Sequence, residues 1–173
     1  MTSSPVDWDR VFLDQEWGRW PAEAIVRTFC RIAGRHTGRL RVLEIGCGPG
    51  AQLGLVAREG HDAVGLDFSG VGLLAAQRRL QAQGLTARLI RSDAAAIPLA
   101  EATMDVVIDC EAIAYTGVSM ARVWAEGARV LRQGASLLSL AFTEGTDRRL
   151  DPYLRFPSLV TPARVRALAA EAG

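Results

Sequence analysis

The stretch Arg41-Val42-Leu43-Glu44-Ile45-Gly46-Cys47-Gly48-Pro49-Gly50 decides the fold of this chain. Val, Leu and Ile surround one acid in its first half, which predicts a strand that is buried on both faces. Glycines then occupy alternate positions, and the run Ala51–Glu59 predicts a helix. A strand, a tight glycine turn and a helix in this order make a nucleotide-binding corner. Glycine lets a ligand approach the backbone, and the free N–H groups at the helix start point toward it.

The rest of the chain repeats the alternation of strand and helix. Apolar runs predict strands at Leu40–Ile45, His61–Asp67, Thr86–Arg91, Met104–Cys110 and Leu137–Phe142. Helical patterns lie at Val71–Gln83 and in a segment that carries Met120, Val123, Trp124 and Leu131 and ends at Gly134. This alternation predicts an α/β fold, doubly wound, with a mainly parallel sheet in the strand order 3-2-1-4-5.

Composition and charge exclude several classes of function. The net charge of +1 gives no electrostatic reason to expect nucleic acid as a partner. All 20 basic residues are Arg, and Lys and Asn are absent, which is typical of a GC-rich bacterial genome. Cys30, Cys47 and Cys110 lack the spacing of a disulfide framework or a zinc site, and no acids are paired for a metal. No leader or long apolar stretch is present, so we expect a cytoplasmic protein with no membrane partner.

Two families use such a glycine corner. Gly46-x-Gly48-x-x-Ala51 fits the relaxed dinucleotide fingerprint, which would make the chain an NAD(P)-dependent oxidoreductase. Glu44-x-Gly46-x-Gly48-x-Gly50 resembles motif I of the class I S-adenosylmethionine (SAM) methyltransferases. Glu44 separates the two, because a carboxylate beside a pyrophosphate is unfavourable. In the resembling family, the acid at this position serves the cationic methionine end of SAM.

The resemblance implies cofactor contacts along the carboxyl edge of the sheet. Asp67 lies about twenty residues beyond the first glycine, at the distance where a carboxylate accepts bonds from ribose hydroxyls. This feature supports adenosine binding in either family. In the resembling family, the position of Phe68 packs on adenine, and those of Asp93 and Ala94 bind its amino group and a ring nitrogen. The remaining contacts implied at this edge are Gly46, Cys47, Gly48, Gly50, Cys110 and Glu111.

An N-terminal helical lid is the other implied feature. Residues 1–38 are expected to form a helical cap and residues 39–173 a Rossmann-like core, together a single SAM-binding methyltransferase domain. Trp17, Arg19 and Trp20 make a poor core segment, and the N-terminal segment of the resembling family often folds over the bound cofactor. The resemblance therefore implies that these three residues cover SAM, with Arg19 meeting its carboxylate.

Methyl transfer from a sulfonium is an in-line displacement, so alignment and exclusion of water are the main tasks of the protein. A base is needed only if the nucleophile arrives protonated. His36 and His61 precede strands and so lie at the amino edge, away from bound ligands. Glu111 and Tyr115 remain as candidates for a base or a substrate contact. The chain lacks the Asn/Asp-Pro-Pro-Tyr/Phe motif of base methylation, which favours a small-molecule acceptor. A non-catalytic protein that binds SAM or S-adenosylhomocysteine (SAH) is the further alternative.

The end of the chain departs from the resembling family. That family normally continues into two further strands, so strands 6 and 7 are expected to be absent from this chain, which ends at Gly173. Strand five would then be an apolar sheet edge, which offers unpaired N–H and C=O groups to a neighbour. We therefore expect self-association through this edge, or a natural protein longer than this chain.

Overall fold

Helices and strands alternate along the computed structural model, which describes residues 6–16, 18–113 and 120–140. The helices are α1 Trp8–Asp14, α2 Glu23–Ala33, α3 Ala51–Arg58, α4 Gly70–Ala82 and α5 Met120–Val130. The strands are β1 Arg41–Ile45, β2 Asp62–Asp67, β3 Arg88–Arg91, β4 Met104–Cys110 and β5 Leu131–Leu140. Trp17, Tyr115 and the predicted end of strand five at Phe142 lie outside the described residues. None of the described helices is long and apolar enough to cross a membrane.

The sheet has five strands in the order β3-β2-β1-β4-β5, and every neighbouring pair is parallel. This confirms the predicted α/β fold and its strand order. β1 lies at the centre, with Ile45 beside Leu66 of β2 on one side and Asp109 of β4 on the other. The strand order reverses between β1 and β4, and ligands of such sheets bind at the carboxyl ends beside this point.

Both faces of the central strand are covered, as the sequence predicted. Val42 packs in a cluster with Phe29 of α2 and Leu53 of α3. Leu43, the next residue, packs on the opposite face with Val123 and its neighbours on α5. Because side chains alternate along a strand, burial on both sides requires the nearly continuous apolar run seen here.

The glycine turn after β1 makes room for other parts of the protein. Gly46, Gly48 and Gly50 all have positive φ, at 65°, 45° and 78°. A Cβ at Gly46 would come within 2.2 Å of the Ala112 Cβ, and one at Gly48 would come within 3.0 Å of the Phe12 ring. The sequence interpretation assigned these glycines to ligand approach. The structure shows that Gly46 and Gly48 also leave room for Ala112 in the turn after β4 and for the Phe12 ring of α1.

The boundary between α5 and β5 differs from the prediction. We expected the helix to include Leu131 and to end at Gly134, but it ends at Val130, and Leu131 already pairs with Met104 in β5. The β4–β5 register then shifts before it resumes at Val106 and Ser136. Gly134, with a φ of 76°, lies within this irregular stretch. Positive φ thus marks a bulge inside a strand here and not the end of a helix.

Candidate functional site

A cavity of about 470 Å³ lies at the carboxyl edge of the sheet, where β1, β2 and β4 end. Trp8 and Phe12 of α1 form part of its wall. Its volume is in the range of small-molecule sites. Most of the predicted cofactor contacts line this cavity, namely Trp20, Glu44, Gly46, Cys47, Gly48, Asp67, Phe68, Asp93, Ala94, Cys110 and Glu111.

Two predicted contacts that the structure describes lie away from the cavity wall. The Arg19 side chain is 64% exposed; its Nη1 lies 3.7 Å from the Glu16 Oε2, and its guanidinium stacks on the Trp20 ring at 5.7 Å. The structure therefore does not bring Arg19 to the site. Gly50 is the N-cap of α3 and packs against Ala76 of α4, which explains its place in the motif without a ligand.

Glu44 is a buried acid with an unsatisfied atom. Its side chain is 3% exposed, and its Oε2 has no hydrogen-bond partner among the described residues. Burial, together with the negative charge of Asp67, raises the pKa of Glu44 well above its usual value. An ionised carboxylate is unfavourable in such a place without a partner. The cavity wall beside Glu44 is therefore suited to a positively charged ligand group.

Asp67 holds the glycine turn and the start of α4 together. Its Oδ2 accepts the Gly48 N–H at 2.7 Å, and its Oδ1 accepts the Ser69 N–H at 2.8 Å. Burial raises the pKa of Asp67, while these hydrogen bonds act in the opposite direction. A carboxylate offers about four acceptor positions, so capacity remains for a ligand. The sequence interpretation gave Asp67 to the ribose, with a cap of the following helix as the alternative, and did not foresee the bond to the glycine turn.

The turn after β4 is organised around Asp109, which the sequence analysis did not single out. Asp109 is 1% exposed and accepts the Ser139 Oγ–H at 2.7 Å and the Ile113 N–H at 3.3 Å. Burial raises the pKa of Asp109 to about 6. The backbone of Glu111 has a φ of 62°, and its N–H donates to the Leu140 carbonyl at 2.7 Å. Positive φ is uncommon for a residue with a side chain, and such strain is concentrated at functional sites.

Gln52 is a second residue that sequence reasoning missed. It is the second residue of α3, is 7% exposed and lines the cavity. A hydrogen bond from Gln52 lowers the pKa of Cys110, but burial dominates and raises that pKa to about 12. The thiol is therefore protonated at neutral pH and is not a nucleophile. A polar residue in the first turn after the glycines was the available signal for Gln52.

The adenine end of the predicted site lies beyond β3. Asp93 is exposed, and its Oδ1 accepts the Ala95 N–H at 2.8 Å, so it caps the local turn. Ala94 is buried, whereas Phe68 is 50% exposed at the cavity wall. An exposed aromatic ring beside an acid and backbone donors can stack on a base and hydrogen-bond its edge.

The opposite edge of the sheet holds His61. Its Nδ1 accepts the Leu40 N–H at 3.2 Å, just before β1 begins. This placement confirms that His61 lies at the amino edge, away from the cavity. Within the described ranges, no three His, Cys, Asp or Glu side chains are grouped so as to hold a metal ion.

Comparison with known proteins identifies the family. Residues 42–134 match the model of a family described as a methyltransferase domain. Phthiotriol/phenolphthiotriol dimycocerosates methyltransferase 1 of Mycobacterium ulcerans is 38% identical over 100 residues, which are 57% of this chain and 36% of that protein. A probable S-adenosylmethionine-dependent methyltransferase of Mycolicibacterium smegmatis is 31% identical over 128 residues, 71% of this chain and 48% of that protein. The chain thus spans about a third to a half of the length of these curated relatives.

Solved structures show the same fold. Phosphoethanolamine N-methyltransferase 2 of Haemonchus contortus superposes with a TM-score of 0.77 at 19% identity, over 95% of this chain and 41% of that chain. A putative methyltransferase of Bacillus halodurans superposes with a TM-score of 0.74 at 19% identity, over 87% and 68% of the two chains. Since the family model matches more than half of the sequence, the chain belongs to the class I family of SAM-dependent methyltransferases.

Proposed function

We propose that this chain binds SAM in the cavity at the carboxyl edge and transfers its methyl group to a small-molecule acceptor. The buried Glu44 carboxylate carries this proposal, because its unpartnered Oε2 belongs to a residue that lines the cavity. Burying a charged group is favourable only when a counter-charge and hydrogen bonds replace the water that the group loses. SAM is a cation with an ammonium group, so it supplies the partner that Glu44 lacks.

The remaining residues fit the other parts of the cofactor. Asp67 would accept the ribose hydroxyls with the acceptor capacity that its backbone contacts leave. Phe68 would stack on adenine, with Asp93 and the Ala94 N–H at the edge of the base. The family resemblance implies these assignments, and the position of the side chains around one cavity supports them. The division into a cap, 1–38, and a core, 39–173, remains part of this proposal.

SAM supplies, when bound, a methyl group activated by its sulfonium. The protein then has to align the acceptor and exclude water, and both accelerate a displacement of this kind. Glu111 lies on the cavity wall and is held there by its left-handed backbone. We assign it to the acceptor side, where its carboxylate can bind the acceptor or take its proton. Tyr115 remains the other candidate.

The acceptor and the setting are also proposed. The relative from M. ulcerans is named for phthiotriol and phenolphthiotriol dimycocerosates, which supports a small molecule as the acceptor here. The curated relatives come from mycobacteria, and the basic residues are all Arg, which supports a bacterial source. We place the enzyme in the cytoplasm, where SAM is made and consumed.

Calorimetric titration with SAM, SAH and NADH tests the binding part. We expect SAM and SAH to bind and NADH to leave no signal. Glu44→Gln should weaken SAH about tenfold or more, because a charge-assisted bond is lost. Glu59→Gln, which makes the same change on an exposed residue at the end of α3, is the matched control and should have no effect. Binding of NADH in place of SAM would refute the proposal.

Turnover needs a separate experiment. Purified protein, SAM with a labelled methyl group and fractionated metabolite pools should give a labelled product that depends on the protein. The acceptor can then be identified by mass. Tight SAM binding without transfer to any pool would instead make the chain a non-catalytic SAM-binding protein.

A further inference from the structure

Helix α1 is docked on the site through one aromatic ring. Phe12 lies in a notch between Gly48 of the glycine turn and Gly72 of α4. A Cβ on Gly48 would come within 3.0 Å of this ring, and one on Gly72 within 2.8 Å. Trp8 and Val11 of the same helix are also buried. The contact therefore requires two positions without side chains, on two different elements of the cofactor site.

A single carboxylate adds the polar part of this docking. The Asp9 Oδ1 accepts the Ser69 Oγ–H at 2.5 Å and the Val71 N–H at 3.2 Å. Both donors lie at the N-terminus of α4, where backbone N–H groups lack partners within the helix and a negative charge is stabilised. The hydrogen bond from Ser69 lowers the pKa of Asp9, so the side chain is ionised at neutral pH.

Ser69 connects this contact to the predicted ribose site. Its N–H donates to the Asp67 Oδ1 at 2.8 Å, and its Oγ accepts the Gly72 N–H at 3.0 Å. Asp67 in turn accepts the Gly48 N–H at 2.7 Å. A continuous hydrogen-bonded path therefore runs from α1 through the cap of α4 to the acid and to the glycine turn. Movement of α1 removes the acceptor of the Ser69 hydroxyl, so Ser69 is then held by its bonds to Gly72 and Asp67 alone.

We propose that Asp9 is a positioning residue for cofactor binding, which couples the docking of α1 to the orientation of Asp67 toward the ribose hydroxyls. The inference rests on the proposed function. Helix α1 has 7 residues, and a helix of this length is not stable alone in water. Its order depends on docking, so α1 and the ribose-binding acid stabilise each other's arrangement. By linkage, a ligand that engages Asp67 must then favour the docked helix to the same extent.

Titration of two ligands against paired variants tests the coupling. The probes are SAH and its analogue that lacks the ribose 2′-hydroxyl. Asp9→Asn removes the charge and keeps the shape, while Asp14→Asn makes the same change on the exposed face of the same helix. We expect Asp9→Asn to weaken SAH about tenfold, to weaken the deoxy analogue clearly less, and Asp14→Asn to change neither. Circular dichroism checks that each variant is folded.

A double-mutant cycle with Ser69→Ala gives a second reading. If both residues act through one path, the double variant should bind SAH about as weakly as the weaker-binding single variant, and the effects should not add. Full additivity would overturn the inference, and so would an equal loss of affinity for the two ligands, which would make α1 a general cover. An affinity of Asp9→Asn for SAH equal to that of Asp14→Asn would also overturn it. Failure of the wild-type chain to bind SAH would instead remove the proposed function, and this inference with it.

Discussion

Replacing Asp109 by Asn tests the account of the turn after β4, because it changes charge and little else. Asp109 is 1% exposed and accepts bonds from the Ser139 hydroxyl and the Ile113 N–H. The Asn carbonyl can keep the backbone bond, and its NH₂ group can donate to the Ser139 oxygen. The cavity wall at Glu111 should therefore keep its form while the ionisable group disappears.

The size and sign of the effect follow from the pKa. Burial raises the pKa of Asp109 from 3.8 to about 6 in the folded protein. The folded state thus holds the proton more tightly than the unfolded state. The contribution of Asp109 to stability is fully present below its pKa in the unfolded state, and it is lost as pH rises through its pKa in the folded state. This loss reaches about 3 kcal/mol at neutral pH, and about 2 kcal/mol of it falls between about pH 4.5 and about pH 7.5.

Urea unfolding at these two pH values measures the effect. The free energy of unfolding of Asp109→Asn, relative to the wild-type protein, should rise by about 2 kcal/mol from the lower to the higher pH. Asp14→Asn, on an exposed position, should show no such change relative to the wild-type protein. The negative charge of Asp109 also helps to raise the pKa of Glu44, and its removal adds to the expected change in the same direction. An unchanged difference between wild-type and Asp109→Asn protein at the two pH values would refute the reasoning.

Three further predictions concern the cavity and the sheet edge. Glu44→Gln should raise the melting temperature of the ligand-free protein at neutral pH, because burial of this acid, which raises its pKa, costs stability there. It should also reduce the shift in melting temperature that SAH produces; a lower ligand-free melting temperature would contradict this. Gly48→Val should destabilise the protein by about 1–2 kcal/mol, because position 48 has a left-handed backbone. The new side chain should also displace Phe12 and expose α1 to protease, and unchanged cleavage would contradict this prediction. The outer side of β5 has no partner strand among the described residues. Sedimentation should therefore show self-association that rises with concentration and is weaker in Leu137→Arg, and a monomer at every concentration would contradict this.

The central strand and its turn could be predicted because their signals are local. A run of apolar residues around Glu44 can be satisfied only by burial on both faces, and alternate glycines leave few conformations other than a sharp turn. The alternation of strand and helix predicted parallel neighbours joined by crossovers of one hand. The order 3-2-1-4-5 was expected because it is the usual one for a nucleotide-binding sheet. The positions of Glu44, Asp67 and Asp93 at one edge of the sheet then followed from the end of each strand.

What the sequence did not predict depends on how separate elements of the fold meet. The contact of Arg19 with the cofactor stays a prediction, and the structure places its side chain beside Glu16 on the exposed side of the segment. Glycine often ends a helix, which is why Gly134 was predicted to do so, but the pairing of β5 with β4 places it inside a strand. The role of Asp109 depends on Ser139, which is 30 residues away, and so no local pattern indicates it.

The central position of β1 has a consequence for the order in which the molecule assembles. Its start is joined to His61 across 21 residues, through the Leu40 N–H, and to Asp105 across 64 residues, through the Arg41 N–H at 2.7 Å. Closing the longer loop costs about 1 kcal/mol more in chain entropy, and contacts of high sequence separation form late. The half of the sheet that contains the glycine turn can therefore assemble first. The wall supplied by Glu111 forms only when β4 docks, so we expect the chain to build the side of the cavity at Asp67 before the side at Glu111.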